Sequence, residues 1–407
     1  MRLILCLYFG VLAALTGLAV LGGVLFLSAT GPGSAVEDAA DDHGYDFVLW
    51  ELENFPRKWI YKLHNLFESR SEEVDEATVQ RYFELTEEIT GTPREGGTEE
   101  DVAGARKERD ALEADVEDIL EGRMTAVLED EGLALQPPLF RDLGLIFPPV
   151  DFELDAPPRV LAVSPRDRIA LVDSYLLEPG LRREQFGRIE EKAESENGAT
   201  DGVSALVVGT GGVATYPSVL PAEDDYGNLV DTAFHEWLHH YLAFFPLGRS
   251  YFKSGDLKTL NESAASLGGR ELAARYFERY GALQAPAAGP STDPAPPEPV
   301  FDFTEEMRAL RREVEALLAQ GKVAEAEALM ERRREDFAMN GYLVRRINQA
   351  YFAFNGFYAL SPGSVDPIGP ALQTLFEREG SPGEFLRVVR GITSRAALDQ
   401  AVASPGG

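Results

Sequence analysis

Histidines are rare and clustered in this chain, which has 407 residues but only five histidines. Three of them fall in the stretch Asp231-Thr-Ala-Phe-His235-Glu236-Trp-Leu-His239-His240. Residues four apart share one face of a helix, so the imidazoles of His235 and His239 are expected to converge on one metal ion, with Glu236 beside them. The alternative is a helix whose histidines are structural. Because Cys6 is the only cysteine, a metal site here has to be built from histidines and carboxylates.

A third ligand has to come from outside this helix, because a catalytic zinc ion takes three protein ligands and leaves one position to water. Twenty-two residues separate His239 from Glu262, which lies in Leu260-Asn261-Glu262-Ser263. That length allows the first helix to end and a second helix to return antiparallel. With both motifs, residues 230–275 resemble the gluzincin metallopeptidases. The resemblance implies one Zn²⁺ ion held by His235, His239 and Glu262, with Glu236 as general base; the alternative for Glu262 is a solvated helix carboxylate.

The sequence departs from well-known gluzincins in three respects. Thermolysin-like enzymes carry an acidic residue four positions after the ligand Glu, where this chain has Ser266. Support for one histidine is therefore expected from elsewhere. No histidine follows His240, so a Tyr or Arg has to replace the histidine that those enzymes place near the oxyanion. The Gly-x-Met-Glu-Asn box of the large zinc aminopeptidases is also absent. The overall pattern is more similar to uncharacterised bacterial membrane-anchored peptidases.

A candidate group for the oxyanion lies downstream, where Asn348, Tyr351, Asn355 and Tyr358 recur at three- and four-residue spacing. This spacing predicts one polar stripe on an aromatic helix. Tyr351 is the first choice as the donor to a tetrahedral intermediate and Tyr358 the second, with Asn348 as a substrate-binding residue. The alternative is that these tyrosines are buried against neighbouring helices.

Upstream of the histidines, Val213-Ala-Thr-Tyr216-Pro217 is a candidate edge strand for an extended peptide substrate, with Tyr216 in contact with it. Gly211 and Gly212 would allow the backbone to approach closely. His240, four residues after Glu236, is a candidate to orient that carboxylate; the alternative is that His240 packs or faces solvent.

The surrounding pattern predicts a helix-rich α+β fold. Short β-rich runs at 159–163, 169–177, 204–209 and 213–219 indicate a small, mostly antiparallel sheet. Helices are expected at 231–245, with Asp231 as N-cap and Pro246 as its stop, and at 256–280. Residues 303–403 read as helical throughout. The predicted organisation is a membrane anchor (1–30), a linker and helical region (31–136), a metallopeptidase core (137–284), a Pro/Ala-rich linker (285–302) and a helical C-terminal lobe (303–407).

The N-terminus predicts a membrane anchor. Residues 3–27 are 25 consecutive uncharged residues, and about 20 apolar residues suffice to cross a bilayer. The alternative, a cleaved signal peptide, usually has a shorter apolar stretch. Arg2 precedes the segment and acidic residues follow it, so the remainder is expected outside a bacterial inner (plasma) membrane as a single-pass protein.

The charge balance restricts the partners. With 68 acidic and 38 basic residues the net charge is −30, which repels nucleic acids. The predicted function is hydrolysis of peptide bonds in a peptide or protein substrate. The alternatives are a non-catalytic membrane-anchored binding or scaffold protein with a peptidase-like fold, and a zinc hydrolase of non-peptide amides. The sequence leaves open whether cleavage is internal or terminal.

Overall fold

The computed structural model describes residues 40–46, 50, 71–94, 97–98, 100–135, 146–196, 202–222, 225–283 and 301–404. The helices of these ranges are α1 (Glu72–Arg94), α2 (Ala103–Asp130), α3 (Arg183–Glu196), α4 (Tyr226–Ala243), α5 (Gly255–Tyr280), α6 (Phe303–Leu318), α7 (Val323–Met339), α8 (Gln349–Asn355), α9 (Ile368–Glu379), α10 (Pro382–Val389) and α11 (Arg395–Ala403). The strands are β1 (Phe152–Leu154), β2 (Arg159–Pro165), β3 (Asp173–Leu177), β4 (Val203–Gly209) and β5 (Ser218–Leu220).

The main sheet has three antiparallel strands in the order β3-β2-β4. The central strand β2 is buried along almost its whole length because α3 and α8 both pack against the sheet. A strand that is covered on both faces needs a continuous apolar run rather than an alternating one, and Val160 to Val163 supply it. The prediction of a helix-rich α+β fold with a small antiparallel sheet is confirmed. The strands β1 and β5 form a separate parallel pair.

The helices α4 and α5 form the centre of the largest core. Phe234, Trp237, Leu238 and Tyr241 of α4 are almost completely buried, and Leu260 of α5 lies in the same cluster. Other parts of that cluster come from α1, α2, β1 and the helices α9 to α11. Side chains that carry charge in these two helices are therefore placed in a largely apolar environment, where they need partners.

The helix α4 begins one and a half turns earlier than predicted. Asp225 is its N-cap, and the Asp225 side chain accepts a hydrogen bond from the backbone N–H of Asn228 at 3.0 Å. The prediction of Asp231 as N-cap is therefore wrong: Asp231 lies inside the helix, and burial raises the pKa of its carboxyl. The end of α4 at Ala243 and the range of α5, capped by Ser254, agree closely with the prediction.

Two adjacent glycines allow α4 and α5 to cross closely. A Cβ atom on Gly269 would lie 3.0 Å from the backbone nitrogen of His235 and 3.1 Å from the carbonyl oxygen of Asp231. A Cβ atom on Gly268 would lie 2.9 Å from Leu238 Cδ1. The first contact is with helix backbone, which cannot turn aside as a side chain can. Gly269 thus fixes how near the second helix comes to the histidines.

Residues 303–403 are mostly helical, as predicted, although non-helical segments separate α7 from α8 and α8 from α9. Helices α6 and α7 share an apolar cluster that includes Met307 and Phe337, whereas α9 and α10 pack on α5. The segment before α8 is held to α3 by ion pairs, Arg345 with Glu190 and Arg346 with Glu194. None of the described helices has the length and apolar content to cross a membrane. The predicted anchor at 3–27 lies outside the described residues.

We expect Gly269→Ala to lower the free energy of unfolding by about 1–3 kcal/mol, because the added methyl group meets the α4 backbone. Urea denaturation followed by circular dichroism measures the change. The matched control is Gly122→Ala, in the middle of α2, where a Cβ atom would have nothing within 4 Å. That change is expected to stabilise by up to about 1 kcal/mol through helix propensity. Equal effects of the two substitutions would contradict the close crossing.

Candidate metal centre

His235, His239 and Glu262 come together between α4 and α5. The Nε2 atoms of His235 and His239, one turn apart on α4, are 3.0 Å from each other. Glu262 Oε2 from α5 lies 3.6 Å from His235 Nε2 and 3.4 Å from His239 Nε2. The group forms a buried His-His-Glu cluster that could hold a metal ion, with one ligand atom from each residue.

The Nδ1 atom of each imidazole makes a hydrogen bond to a residue outside the cluster, and this orients the Nε2 atom towards the cluster. His239 Nδ1 lies 2.9 Å from Asn261 Oδ1, which can only accept, so Nδ1 carries the proton. Ser266 donates its hydroxyl proton to the Glu262 carbonyl oxygen at 2.9 Å and lies 3.3 Å from His235 Nδ1, so it accepts from that N–H. Both Nε2 atoms therefore face Glu262, and each can ligate an ion when it is not protonated. Ser266 thus fills the supporting role that we expected from elsewhere in the chain.

The spacing of the three donors fits a tetrahedral ion. Nitrogen and oxygen atoms bound about 2.1 Å from zinc are about 3.4 Å from one another. The three observed separations of 3.0, 3.4 and 3.6 Å lie around this value. Two imidazoles and one carboxylate are also the donor set of one class of catalytic zinc site. The residues present therefore fit the group that the sequence predicts.

The cluster attracts positive charge. Burial lowers the pKa of His239, but the charge and hydrogen bonding of Glu262 outweigh it and raise the pKa of His239 to about 9. Burial disfavours the charged form of Glu262, yet the two histidines hold the pKa of Glu262 well below its usual range. A proton on His239 balances the carboxylate when no other cation does. A metal ion would replace that proton.

Glu236 is a second buried carboxylate beside the cluster. It is only 6% exposed, and burial raises the pKa of Glu236 against the opposing charges of His235 and His239. Its carboxylate lies under the loop that carries Gly212, where a Cβ atom would be 2.8 Å from Glu236 Oε1. A general base is most efficient when its pKa is close to the working pH. A raised pKa brings a buried carboxylate closer to neutral pH than the pKa of an exposed carboxylate.

Tyr251 is a site residue that the sequence analysis did not identify. Its hydroxyl donates a hydrogen bond to Glu262 Oε1, the oxygen that faces away from the histidines. Burial and the charge of Glu262 both raise the pKa of Tyr251 well above its usual value, so the phenol remains a donor. Tyr251 follows the 3-10 turn Gly248–Ser250, and neither a motif nor a periodicity marks it in the sequence.

The predicted stripe of Asn348, Tyr351, Asn355 and Tyr358 is not a single helix face. The helix α8 covers only Gln349–Asn355, with Asn348 as its N-cap and Gly356 at its end. The side chain of Asn348 accepts from Tyr351 N–H and donates to the Ala205 carbonyl, so it joins the helix to β4. The proposed substrate contact of Asn348 would require these two bonds to be given up.

The two candidate tyrosines occupy different environments. The ring of Tyr351 packs beside the α6–α7 cluster, and burial alone raises the pKa of Tyr351. The ring of Tyr358, beyond the end of α8, lies 6.3 Å from the His235 ring between centroids. The charge of Glu262 is the main cause that raises the pKa of Tyr358 well above its usual value. Of the two, Tyr358 is the tyrosine that lies at the cluster.

Ser263 fixes the position of Tyr358. The Ser263 hydroxyl oxygen accepts from the backbone N–H of Ala359 at 2.8 Å and donates to the Phe357 carbonyl at 3.4 Å. These bonds lie on either side of Tyr358 and attach its backbone to the residue that follows Glu262. The sequence gives no sign of this bridge, because 94 positions separate Ser263 from Phe357.

The segment Val213–Pro217 does not form the predicted edge strand. Val213 makes a single antiparallel bridge to Val219, and Tyr216-Pro217 is a cis peptide within the resulting tight loop. The backbone of this segment is therefore hydrogen-bonded within the loop itself. Tyr216 is buried, and its ring packs 5.7 Å from that of His240 between centroids. Burial lowers the pKa of His240 to about 4, so His240 packs under the loop as a neutral ring.

Lys258 lies one turn before Glu262 on α5. Its ammonium nitrogen is 4.2 Å from the centroid of the Phe357 ring and 5.8 Å from that of Tyr251. Burial lowers the pKa of Lys258, and the charge of Glu262 opposes that effect. Nothing in the sequence motif distinguishes this lysine from other lysines on helices.

Comparisons with protein-family models, with curated proteins and with solved structures returned no match for this chain. The functional reading therefore rests on the residues and the geometry described above.

We expect zinc affinity to rise about tenfold per pH unit from pH 7 to 9 and then to level off. A protonated His239 cannot ligate, and its pKa is about 9, so zinc displaces one proton below that pH. Competition with a chromophoric chelator at several pH values measures the slope. His240→Gln is the matched control and should leave the slope unchanged. A pH-independent affinity over this range would contradict the coupling between His239 and Glu262.

Proposed function

We propose that this protein is a zinc-dependent, gluzincin-like peptidase that hydrolyses peptide bonds. The observation that carries the proposal is the convergence of His235, His239 and Glu262, with Glu236 next to the first histidine on the same helix. A structural histidine pair would not need a third, distant carboxylate or a buried glutamate beside it. We further propose that residues 3–27 anchor the protein in the bacterial inner membrane, with the catalytic region outside the cytoplasm.

The side chains of the site have separate roles in this proposal. His235, His239 and Glu262 would hold zinc, and Asn261, Ser266 and Tyr251 would fix their orientation through the bonds described above. When bound, zinc would lower the pKa of a coordinated water and polarise the scissile carbonyl. Glu236 accepts the proton of the attacking water and transfers it to the leaving nitrogen. Its burial under Gly212 keeps bulk water from competing for that proton.

Tyr358 supplies the donor that the sequence lacks after His240. Its phenol stays protonated beside Glu262 and Glu236, because both negative charges raise its pKa. In the proposed reaction this O–H donates to the negative charge that develops on the carbonyl oxygen. The bridge through Ser263 holds the backbone of Tyr358 in place, so the donor is preorganised.

We expect Glu236→Gln to retain stoichiometric zinc and to lose hydrolysis of a mixed peptide pool, because only the proton acceptor is removed. Glu262→Ala is the contrasting variant and should lose the metal, since it removes a ligand. Metal analysis of the purified protein and mass spectrometry of the released products measure both effects. Stoichiometric zinc in Glu262→Ala would remove Glu262 from the ligand set. Undiminished hydrolysis by Glu236→Gln would end the proposed mechanism.

We expect Tyr358→Phe to lower kcat by about 100-fold while KM changes little, because the lost O–H acts on the transition state. Tyr351→Phe is the matched control: the same exchange, on a tyrosine that packs beside the α6–α7 cluster, should leave kcat within about twofold. Steady-state kinetics on one peptide compares them. A larger loss in Tyr351→Phe than in Tyr358→Phe would reverse the assignment.

A further inference from the structure

We propose that the site selects substrates that carry a carboxylate one or two residues from the scissile bond, and that Lys258 is the residue that binds this carboxylate. The inference rests on the proposed peptidase function and names its substrate class. Three observations support it: the placement of Lys258, the aromatic rings around it, and the distribution of acidic residues in the chain.

Lys258 is placed to reach a substrate that lies at the metal cluster. Positions 258 and 262 are one turn apart on α5, so their side chains share a face and their Cα atoms are separated by about 6 Å along the helix axis. A residue of an extended peptide spans about 3.3–3.6 Å. A carboxylate that matches this Cα spacing would be one or two residues away from a peptide bond at the cluster.

The ammonium lies between the two segments that also carry the tyrosines of the site. Tyr251, which donates to Glu262, follows the 3-10 turn, and Phe357 directly precedes Tyr358. The aromatic faces remove part of the water around the charge and leave cation–π contacts in its place. Because the ammonium is partly desolvated, an anionic ligand interacts with it more strongly than with the ammonium of an exposed lysine.

The segments around the cluster lack acidic residues, although acidic residues make up 68 of 407 positions, about one in six. No Asp or Glu occurs in 202–222, 237–255 or 337–365. These segments contain the Gly212 loop, the Tyr251 turn and Tyr358. These three segments are therefore neutral or basic in a protein of net charge −30, whereas α4 carries Asp231 one turn before His235 and the first turn of α5 carries Asp256. This distribution lets an anionic substrate approach a site on a surface that otherwise repels it.

The carboxylate has two possible sources, the free C-terminus of a peptide and the side chain of Asp or Glu. Each leads to a distinct activity: terminal cleavage in the first case and internal cleavage next to an acidic residue in the second. Four matched substrates separate them. One pair has the same sequence with a C-terminal carboxylate or amide, and the other is amidated and differs by Glu or Gln at one internal position.

We expect the zinc-loaded parent to favour one carboxylate member over its neutral partner by about 10- to 100-fold in kcat/KM, since a charge-assisted hydrogen bond is lost in the neutral one. Lys258→Gln should reduce this ratio to about twofold, and Lys258→Arg should restore much of it. The matched control is Lys253→Gln, the same exchange on an exposed lysine whose ammonium contacts Ser250, which should leave the ratio unchanged. Equal hydrolysis of both members of each pair by the parent, or a preference that survives Lys258→Gln, would overturn the proposal.

A binding measurement separates failure of this inference from failure of the proposed function. Calorimetry with the same four peptides is carried out on zinc-loaded Glu236→Gln, with and without Lys258→Gln. If the parent cuts no peptide but a carboxylate peptide binds at least tenfold more tightly than its neutral partner, and this difference depends on Lys258, the recognition site is supported and the peptidase assignment is wrong. If Lys258→Gln lowers the zinc affinity and leaves the ratio of the peptide affinities unchanged, Lys258 only balances the charge of Glu262 and the inference is wrong.

Discussion

The close crossing of α4 and α5 is the constraint on which the site depends. One helix contributes two imidazoles and the buried Glu236, and the other contributes Glu262, so the cluster exists only where the helix backbones approach. Gly269 makes this approach possible, because any side chain there would contact the backbone of His235. The apolar residues on either side, among them Trp237 and Leu260, hold the pair together. The geometry of the site is thus a consequence of core packing, and the charged groups are carried into place by it.

The same packing buries two carboxylates, whose charges then have to be compensated. Two carboxylates, Glu236 and Glu262, are less than 10% exposed, which is costly for ionised groups without compensation. Glu262 obtains compensation from the histidines and from the O–H of Tyr251. Glu236 lies against Gly212, and there burial outweighs the charges of His235 and His239, so the pKa of Glu236 rises instead. Two carboxylates in one buried site therefore have pKa values shifted in opposite directions, which is the separation that the proposed roles of ligand and base require.

The parts of the site that depend on short-range order could be predicted from the sequence. The convergence of His235 and His239 follows from the helical repeat alone. The position of Glu262 follows from a second helix that runs antiparallel to the first. The prediction failed where local structure ended sooner than periodicity suggested: α8 ends at Asn355, so Tyr358 leaves the face of Tyr351 and reaches the cluster by a separate turn. Tyr251 and Ser263 act through loops or across 94 positions, and no pattern along the chain encodes such contacts. For Ser266 the departure from the thermolysin-like pattern is a change of chemistry at the same position, since a hydroxyl still accepts from the imidazole.

For the proposed peptide substrate, the segments around the cluster differ in the contacts that they offer. The Gly212 loop lies directly against Glu236, and it is closed by the Val213–Val219 bridge and the packing of Tyr216 on His240. Its backbone is therefore committed to internal contacts, unlike an edge strand that pairs with an extended peptide. At Tyr251 and Phe357 the contacts are made by side chains, the Tyr251 hydroxyl with Glu262 and the Phe357 ring with Lys258. A peptide held mainly by side-chain contacts gains less from main-chain hydrogen bonds, so its recognition has to depend more on charge and shape. Under the proposed substrate preference, Lys258, whose ammonium contacts both rings, would supply the charge for this recognition in a protein of net charge −30.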